Sequence, residues 1–487
     1  MMGEVLGNLK PELLWKHFEE ICRIPHPSRK EAKLAEYVVS FAKKNNLDSA
    51  RDEFGNVIIR KKATPGKENL TPVVMQGHLD MVAEKNSDVI HDFEKDPIQC
   101  YIDGDWVKAK GTTLGGDNGV GVAAALAIME SNDLEHGPIE ALFTLDEETG
   151  LFGAQALKPG FVQGKILLNL DSEEDGALYI GCAGGQTTIA KFKYDLKDVP
   201  DKTVALEIKV TGLKGGHSGL DINAGRGNAI KLMTRLLHEL NYTFGIRLVS
   251  INGGSKHNAI PRETFAVIRV QKKFVSDAIA YVERYNEIVR AEISNVEPGL
   301  TVVASESKSK SKVMDKRTTK NLIDALYSVP NGVIKMSADI PGLVETSTNL
   351  AVVVTKGKSV EATLSQRSSV ESEKHDISNS IAAFLKLAEA EVAQGDGYPG
   401  WKPDINSPVL GTMKNVYHQL YGNYPEVKAI HAGLECGIIK ECYQDMDMIS
   451  FGPTLMDVHS PAEKIQISTV EKFWNLLTAV LKNIPSN

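Results

Sequence analysis

The sequence predicts an α/β fold in two domains, with the second inserted into the first. Three observations lead there. Apolar runs alternate with helical patterns up to residue 184 and return after residue 400, while the stretch between them alternates apolar and charged residues with period two. At 487 residues the chain also exceeds what one ordinary core takes in.

In chain order, Leu9, Leu13, Leu14, Phe18 and Ile21 lie at helical spacing, with Pro11 tolerable in the first turn. A second helix is expected over 30–45, with Leu34, Val38, Phe41 and Ala42 inward. Strand-like runs at 57–59, 73–75, 139–145 and 166–170, with a helix at 119–130, predict a largely parallel, or mixed, central sheet flanked by helices. Residues 185–399 form the predicted insert. Strands at 203–210 and 264–270 go with helices at 226–239 and 275–293. A similar set follows, with strands at 300–304, 350–354 and 361–367 and helices at 320–327 and 377–392. That order predicts an α+β domain of two related halves, although no sequence repeat accompanies it. The segment 305–313 reads as an exposed turn, and the Gly- and Pro-rich 393–404 as the return linker. The tail resumes with a helix to Tyr421, capped by Ser407 ahead of Pro408, strands at 427–430 and 448–451, and a closing helix at 470–484. Residues 1–184 and 400–487 thus make one domain, split by the insert.

A 42% hydrophobic and 24% charged composition is that of a soluble globular protein. The net charge of -8 argues against nucleic-acid or anionic-membrane partners. The five cysteines are scattered and form no C-x-x-C pair, which fits reduced thiols in the cytoplasm. The acidic N-terminus is not a signal peptide, and no run of about 18 apolar residues is present to span a membrane.

The chemistry gathers at the ends of apolar or glycine-rich runs: His78 and Asp80 in VVMQGHLD, Asp117 in TTLGGDNG, Glu147 and Glu148 in ALFTLDEETG, Asp171 in ILLNLDSEED, His459 in LMDVHS. On an extended strand His78 and Asp80 share a face, so one can bind a metal while the other orients its ring. A carboxylate with two oxygens, such as Asp117, can bridge two cations. Adjacent acids point different ways, so of Glu147 and Glu148 one can bind metal and the other face substrate. Asp457 is a candidate to orient His459. Taken singly, Asp117 reads more readily as a polar turn, Asp171 as a solvated strand end and His459 as a structural histidine, while His78 with Asp80 and the adjacent glutamates read equally either way. Their conjunction at successive strand ends, with ligand types zinc accepts, points to a metal site and hydrolysis.

The segments GHLDMV, GGDNGVG, DEETG, NLDSEE, GGHSGLD, GGSKHNAIP and MDVHSP resemble the M20 family of di-zinc metallopeptidases over essentially the whole chain. Within the family they are most similar to the aminoacyl-histidine dipeptidases of the bacterial carnosinase type. The resemblance implies a phosphorylase/hydrolase-like catalytic domain with an inserted lid, and two divalent cations, zinc first and cobalt or manganese next. By the same resemblance His78 and Asp171 bind one metal, Glu148 and His459 the other, and Asp117 bridges. Asp80 orients His78, and Glu147 is the general acid/base. His217 in GLKGGHSGLD is the oxyanion donor. Asn258 and Arg367 hold the substrate backbone and its C-terminal carboxylate, and Gly433 lines the site. The implied activity is hydrolysis of unblocked dipeptides, Xaa-His including β-alanyl-histidine, by a cytoplasmic homodimer. Whether His217 serves its own chain or a partner's is left open.

Other classes fit less well. GGHSGL offers Ser218, but a G-x-S-x-G elbow needs glycine where Leu220 stands. Cys182 and Cys436 have no histidine singled out for them. Gly119, Gly121 and Ala124 fit a loose dinucleotide fingerprint but follow a glycine turn instead of a strand, and serve better as a close-packing face. Broader aminopeptidases and N-acyl amino acid hydrolases share the expected chemistry. A non-catalytic binding module would be expected to have lost Glu147 or a ligand.

Overall fold

The computed structural model describes residues 5–486. The chain divides into two compact units. The first holds Met1–Cys182, Trp401–Ala429 and Leu434–Asn487, and the second Ala183–Gly400 and Ile430–Gly433. The return of 430–433 to the second unit differs from the division expected from sequence. The Ala183 amide accounts for it, since it donates to the carbonyls of Ile430 and Ala432 at 3.0 and 2.9 Å.

The first unit is built on an eight-stranded mixed sheet. At its centre Ile139–Thr144, Val73–His78, Ile166–Asn169 and Asp447–Ser450 run parallel to one another. Val57–Lys61 joins antiparallel on one side and Ala177–Cys182 on the other. The first three of these strands are buried along their whole length, as their near-continuous apolar sequences require. Parallel strands end on the same edge, so the residues following His78, Thr144 and Asn169 emerge together.

The helix Gly116–Glu130 is apolar all round and buried, and it packs where side chains would not fit. A Cβ on Gly121 would lie 2.5 Å from the Leu170 carbonyl oxygen, so the glycine lets the helix touch the backbone just before Asp171. Phe18 of the helix Glu12–Arg23 packs over Gly119. These glycines serve packing, and the dinucleotide reading falls away.

The second unit is a nine-stranded antiparallel sheet, and one continuous sheet runs through both sets of expected strands. Along Thr203–Thr211 the inward residues Leu206, Ile208 and Val210 are buried. They share one core with Met233, Leu236 and Leu240 of the helix Ala229–Phe244 and with Leu322 and Leu326 of Lys316–Ser328.

Several boundaries differ from the sequence reading for local reasons. Pro11 is the cap of the first helix, which starts at Glu12 and leaves Leu9 outside. The helix expected from 226 starts at Ala229, because the Asn228 side chain accepts from the amides of Ile230 and Lys231. The helix expected over 377–392 ends at Leu387. Glu389 then turns left-handed at φ 66°, and Glu391–Gln394 becomes a strand. Residues 305–307 extend a strand ahead of the expected turn. Among the described residues no helix is long and apolar enough to cross a membrane.

Because Gly121 sets the distance between helix and sheet, Gly121→Ala is expected to cost about 1–3 kcal/mol of stability. The midpoint of urea unfolding checks this, and an unchanged midpoint would show that the contact has slack.

Candidate metal centre

The strand ends of the first unit bring the expected ligands together. His78 points its Nδ1 towards Asp80, 3.0 Å from the backbone oxygen and 3.4 Å from Oδ1. With Nδ1 turned to Asp80, Nε2 faces Asp117 Oδ1 at 3.1 Å and Asp171 Oδ1 at 3.3 Å. His459 Nε2 lies 3.2 Å from Asp117 Oδ2 and 3.0 Å from Glu148 Oε2. Asp117 therefore stands between two sets of donors, one oxygen turned to each. Donor atoms of His78, Asp117 and Glu148 all lie within 4.8 Å of one another.

Backbone groups help to hold the cluster. Asp80 accepts from the amides of Glu147 and Glu148 at 2.8 and 3.1 Å, so it also fixes the loop that carries both acids. Asp146 just before them takes a left-handed φ of 50°, and His459 itself has φ 60°. Asp457 does not orient His459. Its carboxylate is held by Lys464 at 3.0 Å.

The electrostatics are those of a site short of positive charge. Burial pushes the carboxyls of Glu147 and Asp171 well above the usual carboxylate range and raises that of Glu148. Burial also disfavours ionised Asp117, but hydrogen bonds from His459 and His78 outweigh it and hold that carboxyl well below its ordinary value. Against the burial of its ring, Asp171, Asp117 and Asp80 hold the His78 imidazole well above its usual value. Hydrogen bonds to Asp117 and Glu148 carry His459 to about 11. Glu148 Oε1 and Asp171 Oδ1 are buried without a hydrogen bond. Hard oxygen and imidazole donors, an excess of acid and unsatisfied buried oxygens suit divalent cations of the zinc type. Glu147 stands apart, since no hydrogen bond from a described residue reaches its carboxylate.

Sequence reasoning missed Glu435, which is fully buried and accepts from Gln76 and Thr144 at 2.5 and 2.7 Å. Burial pushes its carboxyl up to about 7. Its partner Gln76 shares a strand face with His78. No local pattern marks a helix-terminal glutamate for that place.

In the second unit His217 and Arg367 lie together. The His217 Nδ1 accepts from the amides of Gly219 and Leu220 at 3.3 and 3.1 Å, which places the proton of the neutral ring on Nε2. Burial, and then Arg367, lower this histidine to about 4, so the ring is neutral at neutral pH. Nε2 faces Arg367 Nη2 at 3.5 Å, two donors with no acceptor between them. Arg367 is buried, with Nε unpartnered, and its Nη1 donates to Tyr398 Oη at 2.9 Å. A buried guanidinium facing neutral donors is built to take an anion. Asn258 is exposed beside His217, and its carbonyl accepts from the Ser218 amide at 2.9 Å. Gly433 lies against the Tyr398 ring, where a Cβ would come within 2.9 Å. His431, bonded to Ser347 at 2.7 Å, is a further buried imidazole that sequence did not single out, lowered to about 3 by its burial and by Arg367.

The rival nucleophiles lack activation. Ser218 is buried with its hydroxyl unpartnered. Burial raises the Cys182 thiol to about 11 and that of Cys436 well above its ordinary value.

Because cations and protons compete for His78 and His459, loading chelator-stripped protein with zinc at neutral pH is expected to release about two protons. Apparent affinity should therefore rise with pH between about 6 and 8. Calorimetry in buffers of different ionisation heat reads the proton count, and a count of zero would remove the imidazoles from the ligand set.

The sequence profile of Peptidase family M20/M25/M40 matches residues 74–483. Over 481 residues the chain is 44% identical to the cytosol non-specific dipeptidase of Escherichia coli (strain K12), covering 99% of both sequences. Its fold superposes on the crystal structure of aminoacylhistidine dipeptidase from Vibrio alginolyticus with a TM-score of 0.93 and 43% identity, covering 99% of this chain and 98% of that one. A more distant likeness, in fold alone, is to aminopeptidase PepT from Bacillus cereus, with a TM-score of 0.57 at 15% identity over 98% and 99% of the two chains. With the matched span running from the strand that carries His78 to the C-terminal helix that follows His459, the chain belongs to peptidase family M20 and is a peptidase that uses divalent metal.

Proposed function

We propose that this peptidase hydrolyses unblocked dipeptides, Xaa-His and β-alanyl-histidine among them, as a cytoplasmic homodimer that uses two zinc ions. The observation that carries the metal chemistry is the placement of Asp117 between two imidazole-carboxylate pairs, with Glu147 left unbonded beside them. The dipeptide class rests on the full-length relatives. One is named a non-specific dipeptidase and the other an aminoacylhistidine dipeptidase, which favours a broad range that includes histidine.

In this reading His78 and Asp171 would hold one cation and Glu148 and His459 the other, with Asp117 shared between them. Bound there, such cations supply Lewis acidity, polarising a peptide carbonyl and making a nearby water acidic enough to ionise near neutral pH. Asp80 fixes the tautomer of His78 and the loop of the two glutamates. Glu147 takes the proton of the attacking water and passes it to the departing amine nitrogen. Burial that raises its proton affinity suits a group which must hold that proton between the two steps. The Nε2 proton of His217 is donated to the oxygen that gains charge. Arg367 and Asn258 hold the substrate's carboxylate and backbone, beside Gly433.

A panel of free, N-acetylated and C-amidated dipeptides, with chelated and reloaded protein, tests the proposal. Free Xaa-His should be cleaved only by reloaded protein. Preference for acetylated substrates would point to an N-acyl amino acid hydrolase instead. Arg367→Ala should raise KM for free dipeptides at least about tenfold, as loss of a charged hydrogen bond implies, and leave the amides nearly unchanged. Glu147→Gln should abolish turnover while both cations stay bound, and loss of metal on that change would make Glu147 a ligand.

A further inference from the structure

Glu463 is an acid to which the mechanism above assigns no work, yet it is 2% exposed and sits against the metal centre. Its carboxylate gathers consecutive backbone amides of the loop that carries Asp117. Oε2 accepts from Leu114 at 2.7 Å and Gly115 at 3.1 Å, and Oε1 from Gly116 at 2.8 Å and Asp117 at 3.3 Å. These amides open the helix Gly116–Glu130, where N–H groups have no partner within the helix. The loop sequence fits the contact. Gly115 takes a left-handed φ of 72°, and a Cβ on Gly116 would stand 2.8 Å from Ile465 and 3.2 Å from Glu463 Oε1.

The same stretch of tail also carries His459. Between them the chain is braced by the Ser460 hydroxyl on the Asp457 carbonyl at 2.6 Å and the Glu463 amide on the Ser460 carbonyl at 3.1 Å. One short segment thus reaches Asp117 twice, through His459 at its carboxylate and through Glu463 at its backbone. Placing an acid beside the Asp117 carboxylate is electrostatically unfavourable, and the convergent amides offset that cost.

We propose that Glu463 is a positioning residue for the metal centre: by clamping the Leu114–Asp117 backbone it holds Asp117 midway between the two donor sets, and so sets the affinity for cations. The inference rests on the reading of Asp117 as a shared ligand.

The test is equilibrium metal binding by the full chain, with zinc titrated against a competing chelator, for wild type, Glu463→Gln, Glu463→Asp and the comparator Asp52→Asn. Asp52 performs a similar clamp, accepting from the amides of Phe54, Gly55 and Asn56 at 3.0, 2.8 and 2.9 Å, in a turn that carries none of the ligands. Both Glu463 variants should bind zinc about 10- to 100-fold more weakly, the range known for groups that orient metal ligands. Their kcat should recover at saturating metal with KM unchanged. Asp52→Asn should lose thermal stability without losing zinc affinity. Unchanged zinc affinity in a folded Glu463 variant, or an equal loss in Asp52→Asn, overturns the proposal. If Glu463→Gln does not fold, Glu463→Asp, which keeps the charge and shortens the reach, decides alone. Wild type that fails to take up two cations would instead defeat the reading of the centre itself.

Discussion

Like charge crowded at one edge of a parallel sheet is the constraint under which the first unit is built. Asp80, Asp117, Glu147, Glu148 and Asp171 meet there, with His78 and His459 set among them. Two unit charges about 4 Å apart interact by roughly 4 kcal/mol in a medium of intermediate dielectric, so such a cluster does not persist ionised and unpartnered. Protons or cations must enter. The raised carboxyls of Glu147 and Asp171 and the raised imidazoles of His78 and His459 show which atoms would take protons. Those atoms, Glu147 apart, are also the ones that divalent cations would use.

The backbone bears the cost of bringing them there. Parallel strands supply the common edge, where His78 ends its strand, and at two points near the cluster the chain takes a conformation that side chains rarely adopt. Asp146 and His459 have positive φ, and each such residue costs of order 1–3 kcal/mol. What offsets this is backbone hydrogen bonding to acids: Asp80 holds the Glu147–Glu148 amides, and Glu463 holds the loop up to Asp117. Acids therefore do two kinds of work in this unit, facing the cation sites with some and the main chain with others.

This division explains what could be read in the sequence. The buried strands announce themselves by apolar runs, and the ligand-bearing residues by their place directly after those runs. The helix caps were legible where chemistry is local, as at Ser407, whose hydroxyl accepts from the Leu410 amide. Asn228 has equally local chemistry, yet the sequence reading began that helix earlier, at 226. Glu463, Glu435 and Tyr398 could not be found this way. Each acts on segments distant in sequence, and a lone glutamate ahead of Lys464–Gln466, or a tyrosine in a Gly-Pro linker, has no local signature of its partner. Asp457 illustrates the converse: adjacency to His459 suggested an orienting role, but Lys464 claims its carboxylate.

The two units carry opposite chemical deficits. The first has acceptors in excess, which divalent cations would satisfy. The second has donors in excess: Arg367, the Nε2 proton of His217 and the Tyr398 hydroxyl, to which no carboxylate of a described residue is hydrogen-bonded. A free dipeptide is short in the complementary senses. Its carbonyl needs an electrophile to make it reactive, and its terminal carboxylate needs a donor set in place of water. An amidated peptide offers no terminal carboxylate. A buried guanidinium left without its anion would then bear the desolvation cost alone. If Arg367 takes the substrate carboxylate as proposed, discrimination against amidated substrates arises from charge, because the donors of the second unit would lack the anion they are arranged to take.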